Sequence, residues 1–364
     1  MPQEMPLRTL DDDELGEFRS SVRAAISAAG YPAHLRAFEE SESGVDAGLW
    51  RLLADDIGLA GLGLPESVGG LGGLVEVLAI AEELGAALAP VPFLGSTVLS
   101  GQILAAAGPA AEPYLERIVA GAVAAAAVSD AKGCWSKSDV TCTSEGQTVS
   151  GTVRFVAWGA AAEFLVVAAR TSAGIDLFAV EASDASMSPL RSLDFSRPSA
   201  TAVFDRSDAV ALTAGGAGGE AITAGVNIAL IAVGADQLGG AQRCFDMTLD
   251  YIRLRRQFNR EIGGFQAIKH RMADALMLVE MSRSGIDRVT WGESDDLAAD
   301  ASVIKAWGSD AYVALSAEAI QLHGGVGFTW EHDAHLYFRR ARFDAAFLGD
   351  AVFHRERVAT VLDF

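Results

Sequence analysis

Arg253, Arg255, Arg256 and Arg260 form a basic island in a chain of 364 residues whose net charge is −20. A guanidinium is planar and presents paired N–H donors, a geometry that suits phosphate or carboxylate oxygens. The competing reading is a solvated helix end, where cations balance the dipole. A second group, Gln321, Gly324 and Gly325, closes a helical run that ends at His323. A helix C-cap accounts for one glycine. Two glycines with a glutamine before them better suit the close approach of a flat ligand to bare backbone. His323 is the histidine nearest these groups, and a lone histidine at a helix end is read as structural. His332 and His335 fall in a charged stretch and are read as surface residues, so no histidine is assigned to catalysis. Cys134, Cys142 and Cys244 lack metal-ligand spacing and are read as reduced thiols, with no metal site.

Such residues need elements to hold them, and the pattern along the chain divides into three units. Half the residues are apolar, enough for a sizeable core, and 21% are charged. The acidic balance argues against a nucleic-acid partner. The most continuous apolar stretches, Gly121 to Val128 and Ile228 to Ala235, are too short to span a bilayer, and Met1-Pro2-Gln3-Glu4 opens no secretory leader. The expected compartment is the cytoplasm. Residues 1–122 read as a helical unit: a run starting at the acidic Asp11–Glu14, a helix over Leu49–Ile57, a glycine-rich loop through Gly73, and a helix over Leu74–Leu88. Residues 123–215 alternate apolar and polar in short runs, at Asp139–Thr143, Gln147–Phe155, Phe164–Ala169, Leu177–Val180 and Ala200–Phe204. That spacing predicts a small antiparallel barrel or sandwich. Residues 216–364 return to long helical runs, Ala221–Leu254, Gln266 to about Gly292, Leu297–His323 and a last one from near Asp344. They predict an up-down four-helix bundle. The fold class is therefore α+β and multidomain: helical domain, β domain, helical bundle.

Three fragments, spread in order from Pro65 to Phe328, carry a resemblance. Tyr251-Ile252-Arg253-Leu254-Arg255-Arg256-Gln257-Phe258, followed by Gly263-Gly264-Phe265-Gln266, resembles the Arg-x-Gln/Thr-Phe and Gly-x-Phe-Gln signature of acyl-CoA dehydrogenases. Gln321-Leu322-His323-Gly324-Gly325-Val326-Gly327-Phe328 resembles that family's Gln-x-x-Gly-Gly-x-Gly-Phe motif, and the Pro65-Glu66, Gly69-Gly70 and Gly72 loop matches as well. The resemblance implies FAD as cofactor. It puts Arg255 on the pyrophosphate and Gln257 and Phe258 on the adenosine half, with Gln266, Gln321, Gly324 and Gly325 completing the site. In the family these motifs reach across a subunit interface to a neighbour's flavin, so the resemblance implies an oligomer. It also implies an acyl-CoA substrate and an electron-transfer flavoprotein as electron acceptor.

The same resemblance exposes what is missing. α,β-Dehydrogenation of a thioester needs a carboxylate base beside the substrate. Of the family's two positions for it, one falls on Leu348, counted from Gly349, and the other on Ala229, counted back from Phe258. Neither accepts a proton. The Trp-Ile-Thr/Ser segment that bonds the flavin ring falls on Phe155, Val156 and Ala157, without a hydroxyl, and Trp158 lies beyond it. A chain that lends residues to a neighbour's flavin but lacks its own base resembles the non-catalytic subunit of bacterial α2β2 acyl-CoA dehydrogenases, including those acting on steroid side chains. That expectation requires a homologous, base-carrying partner. The alternatives are a self-sufficient homotetramer with an unconventional base, for which Asp350 is the first candidate ahead of Glu220 and Asp236, or a flavin-free scaffold.

Overall fold

The structure, a computed structural model, describes residues 5–39, 41 and 43–363. Helix α1 (Asp12–Ala28) opens on a reciprocal cap in which Asp11 accepts the Glu14 N–H and the Glu14 carboxylate accepts the Asp11 N–H. The acidic run thus starts a helix for the expected reason. Where a helix is expected over Leu49–Ile57, α2 (Ala47–Arg51) widens into a π turn over Leu52–Asp56. α3 (Leu74–Ala86) follows the glycine loop. In that loop a Cβ on Gly70 would lie 2.1 Å from the Leu64 oxygen, so only glycine fits. A π-wound turn, Leu94–Ser100, then leads into α4 (Gly101–Ala107), and α5 (Glu112–Val119) ends the helical unit.

Eight strands build the middle sheet: β1 (Ala124–Ala127), β2 (Cys142–Glu145), β3 (Thr148–Ala157), β4 (Phe164–Thr171), β5 (Gly174–Glu181), β6 (Ser186–Leu190), β7 (Ser199–Asp208) and β8 (Val210–Ala211). Their order is β6-β7-β3-β2-β4-β5-β8, with β1 also on β4. The sheet is mixed where the alternation predicts an antiparallel one: β1 and β2 both run parallel to β4, pairing with its first and second halves. The chain returns to β4 through the β2–β3 hairpin instead of a direct turn, and a pattern of alternating residues carries no strand direction. β4 is buried on both faces. Leu165, Val167 and Ala169 point into the sheet's own core, and Phe164, Val166 and Ala168 into the core shared with the helices. That is why it reads as a continuous apolar run.

The third unit is organised by α6 (Gly218–Leu254), 37 residues long. By length and composition it could cross a membrane, with a window of mean hydropathy 1.5, but 83% of that window is buried inside the protein. It is a core helix. Glycines let its neighbours approach to backbone contact: a Cβ on Gly239 would stand 2.0 Å from the Glu82 oxygen of α3, and one on Gly85 of α3 would stand 2.1 Å from the Asp236 oxygen. α7 (Gln266–Thr290) and α8 (Leu297–His323) pack beside it. The expected last helix is two. α9 (Ala334–Ala346) already contains Asp344, and α10 (Ala351–Val361) starts after a break at Phe347–Asp350, capped by the Asp350 side chain. The start near Asp344 is thus corrected to Ala334. Asp333 and His332 made that first turn look like loop, although Leu336, Tyr337, Arg340 and Ala341 form its buried face.

A cluster of buried charges joins the β6–β7 loop to α6 and α9. Arg340 donates to Asp194 and to Ser196, Arg197 pairs with Asp236 at 2.7 Å, and Asp344 lies 3.8 Å from the Arg197 Nε. Three carboxylates thus face two guanidiniums, all of them at most 3% exposed. Asp344 is the odd one, since neither of its oxygens has a hydrogen-bond partner among the described residues. Burial, opposed by Arg197 and reinforced by Asp236, raises its pKa from 3.8 to about 8. An acid whose folded pKa is raised contributes stability that is complete below its unfolded value and is lost as pH rises through the folded one. Asp344→Asn should therefore match the parent near pH 4 and exceed it increasingly up to pH 8.5, by up to about 5 kcal/mol for a shift from 3.8 to about 8. Denaturant melts of both proteins across that range test this. A difference that does not change with pH would mean that Asp344 is ionised throughout.

Candidate functional site

The cofactor residues expected from the sequence sit together at one end of the bundle. α6 stops at Leu254 because Arg255 turns extended, its N–H donating to Tyr251 and its carbonyl accepting from Ile262. A two-stranded hairpin follows, β9 (Arg256–Gln257) and β10 (Arg260–Glu261), closed by Phe258 and Asn259, both with positive φ. That is the two-residue hairpin geometry usually given to Asn-Gly. Placing Phe258 there strains the backbone and drives its ring outward, 88% exposed. The hairpin uses two of the four arginines: Arg256 donates to the Asn259 carbonyl, while Arg260 donates to Gly264 and covers the Phe265 ring at 4.4 Å. Arg253 and Arg255 are exposed and have no side-chain partner among the described residues. Gln257 and Gln266 are exposed beside them.

The second motif is tied to the first. The Tyr251 and His323 rings are 4.3 Å apart, and Leu322 packs with Ile252 and Met272. Gln321, Gly324 and Gly325 are exposed. Gly324 adopts φ 62°, ψ −144°, a conformation open to glycine, and space is empty around a Cβ at either glycine. His323 is buried, donating its Nδ1 proton to the Ala319 carbonyl at 2.7 Å, which agrees with a structural role. The expectation that His332 and His335 are surface residues fails. His335 is buried on α9 and stacks on Trp330, and half-buried His332 lies 4.4 Å from the His323 ring. Their place in an amphipathic helix and its lead-in outweighs the charges around them.

The positions where the family would place a base are sealed. Leu348 is 3% exposed, with a left-handed backbone (φ 59°). Two buried basic groups hold that loop: Lys305 donates to the Gly349 carbonyl at 2.9 Å, and the His354 Nε2 donates to the Leu348 carbonyl at 3.1 Å. Burial, opposed by Asp344, pulls the Lys305 amine down to about 8, and burial with the nearby Lys305 charge pulls His354 down to about 3. Ala229 is buried within α6. Among the fallback carboxylates, Asp350 is exposed and accepts the Phe353 N–H at 2.8 Å, Asp236 is locked between Arg197 and Arg340, and Glu220 lies exposed in the first turn of α6.

The place implied for a flavin ring is a half-open cleft. Phe155 lines a cleft of about 290 Å³ with Gly133, Ser199, Phe343 and Phe347. A second cavity of about 630 Å³ shares Leu190, Arg191, Ser192 and Leu193 with it and extends past Phe195 and Arg339. Trp158 turns away from the cleft: its ring packs on Gly95, lies 5.2 Å from the Arg197 guanidinium and is 1% exposed. Sequence reasoning missed Lys305 and the charge cluster. Arg340 and Asp344, spaced four apart beside Tyr337 and Ala341, were the readable trace.

Comparisons with known proteins agree with this architecture. The sequence profiles described as "Acyl-CoA dehydrogenase, N-terminal domain" and "Acyl-CoA dehydrogenase, C-terminal domain" match residues 12–122 and 216–362. The chain is similar to the acyl-CoA dehydrogenase IpdE2 of Mycobacterium tuberculosis, with 33% identity over 92% of this chain and 93% of the relative. Among solved structures it is similar to the ChsE4–ChsE5 complex from Mycobacterium tuberculosis, with TM-score 0.86, 27% identity and 99% of both chains covered. A Tcur3481–Tcur3483 steroid ACAD variant gives TM-score 0.85 and 29% identity over 96% of this chain and 98% of that one.

If Asp350 is a helix cap and nothing more, Asp350→Ala should cost about 1 kcal/mol of stability. It should leave any acyl-CoA oxidation by the assembled protein unchanged. Calorimetry and a dye-reduction assay on the same preparation check this. A large loss of turnover with an unchanged melting temperature would restore Asp350 as a base.

Proposed function

Because this chain belongs to the acyl-CoA dehydrogenase family, FAD-dependent oxidoreductases acting on carbon–carbon bonds, we propose that it works as the non-catalytic subunit of a heteromeric member. One contrast carries the reading: the residues that would serve a neighbour's flavin are exposed and free, while Leu348 and Ala229, where its own base would stand, are apolar and buried, and Phe155 and Ala157 offer a flavin ring no hydroxyl. In this reading Arg255 binds the pyrophosphate, and Gln257 and Phe258 cover the adenosine half. Gln266, Gln321, Gly324 and Gly325 close the site from this side. The flavin, when bound, supplies the hydride-accepting chemistry of acyl-CoA dehydrogenation. A homologous partner supplies the carboxylate that removes the α-proton, and with it most of the substrate pocket. Leu254, Phe258, Val326 and Phe328, each 50% exposed or more, are the apolar surface that this partner covers. An electron-transfer flavoprotein is the electron acceptor, and the cytoplasm the compartment.

Support comes from two similar structures that are each named as a pair of proteins, ChsE4–ChsE5 and the steroid ACAD Tcur3481–Tcur3483. The first test is flavin content. This chain alone should purify colourless or poorly soluble, and co-expression with a base-carrying homologue should yield a yellow complex with one flavin per pair of subunits. In that complex, Arg255→Ala should weaken flavin retention at least about tenfold while the two chains still co-purify, as expected for a lost charge-assisted hydrogen bond. A yellow homomer with one flavin per chain that oxidises acyl-CoA would sink the proposal.

A further inference from the structure

A groove of about 580 Å³ runs between the N-terminal unit and the starts of α6 and α8. Its floor is Ala105, Ala106 and Ala224, and its walls include Met5, Ile228 and Leu297. It shares no lining residue with the Phe155–Phe347 cleft. Two polar side chains line it, Gln102 and Asn227, which are 8% and 9% exposed. The orientation of each amide is set from behind. Gln102 donates its Nε2 protons to the Gly63 carbonyl at 2.7 Å and toward the Met5 sulfur at 3.8 Å, which leaves its oxygen without a partner among the described residues. Asn227 accepts from Arg357 at its Oδ1, which leaves its N–H donors without one. Arg357 does not line the groove, so no cation faces it.

A pair of nearly buried amides, one offering an acceptor and the other a donor inside apolar walls, suits a group that both donates and accepts, of which a hydroxyl is the smallest. A hydroxyl accepts from Asn227 and donates to Gln102 at once. Leaving either amide end dry costs free energy that such a ligand recovers. We infer that the groove is a second small-molecule site, for a neutral and largely apolar molecule bearing a single hydroxyl. A carboxylate head is disfavoured, because the wall presents no cation and the chain carries a net charge of −20. This inference stands apart from the heteromer proposal, since it uses none of the same residues.

Fluorescence titration of the purified full-length chain with 1-hydroxypyrene and with pyrene tests it. The hydroxylated probe should bind about tenfold more tightly, the value of one net hydrogen bond. Ala106→Trp fills the floor from a half-buried position and should abolish binding of both probes. Asn227→Asp keeps the acceptor for Arg357 but removes the donor, and should erase the preference for the hydroxyl. Circular dichroism melts confirm that both variants are folded. Equal affinity for the two probes in the parent, or binding untouched by Ala106→Trp, would overturn the assignment. So would loss of the site when the chain is bound to a partner, because the groove would then be a subunit contact.

Discussion

The structure depends on the burial of one long helix at backbone distance from its neighbours. α6 carries apolar and small residues around its middle turns, and its glycine contacts with Glu82 of α3 and Tyr312 of α8 leave no room for even a methyl group. Close-packed helices transmit position with little give. The N-terminal turns of α6 therefore form one side of the amide-bearing groove, its middle presents Asp236 to the ion cluster, and its end launches the arginine hairpin. A change in the α3–α6 spacing would move all three.

Burying charge beside this helix is costly unless every ion finds a partner. Arg197 and Arg340 come from different parts of the chain and satisfy Asp194 and Asp236, with Ser196 completing the set. Replacing such a cluster with apolar residues is often neutral or stabilising, so strength is a weak explanation for it. Its geometric effect is clear: the β6–β7 loop is held against α6 and α9 in one arrangement. Trp158, beneath the Arg197 guanidinium, fills space between the sheet and the first unit.

The two ends of the candidate site follow opposite physical rules. At the hairpin and the Gly324–Gly325 turn, polar and aromatic groups face water with open space around them, a costly arrangement for Phe258 unless another surface covers it. At Leu348 the loop is pinned through its own carbonyls by a buried lysine and a buried histidine, groups that burial drives toward neutrality. The side chain that stands there is apolar, and its buried surroundings suit it.

Much of this was legible in the sequence. The period of the apolar residues located α1, α3, α6, α7 and α8, because a helix with a buried stripe must repeat every three to four residues. The resemblance singled out Arg255, Gln257, Gln321 and the paired glycines, which the fold brings to one end of the bundle, and Leu348 and Ala229, whose side chains accept no proton. Tertiary structure decided what spacing cannot encode. The direction of β1 and β2 against β4 follows from where the chain returns, and the break between α9 and α10 from a cap at Asp350. The fates of individual charges were hidden too: Arg340 and Asp344 read like surface residues until α6 and the β6–β7 loop close over them, because burial depends on neighbours distant in the chain. The freedom of Arg255 is likewise visible only once the hairpin has claimed Arg256 and Arg260.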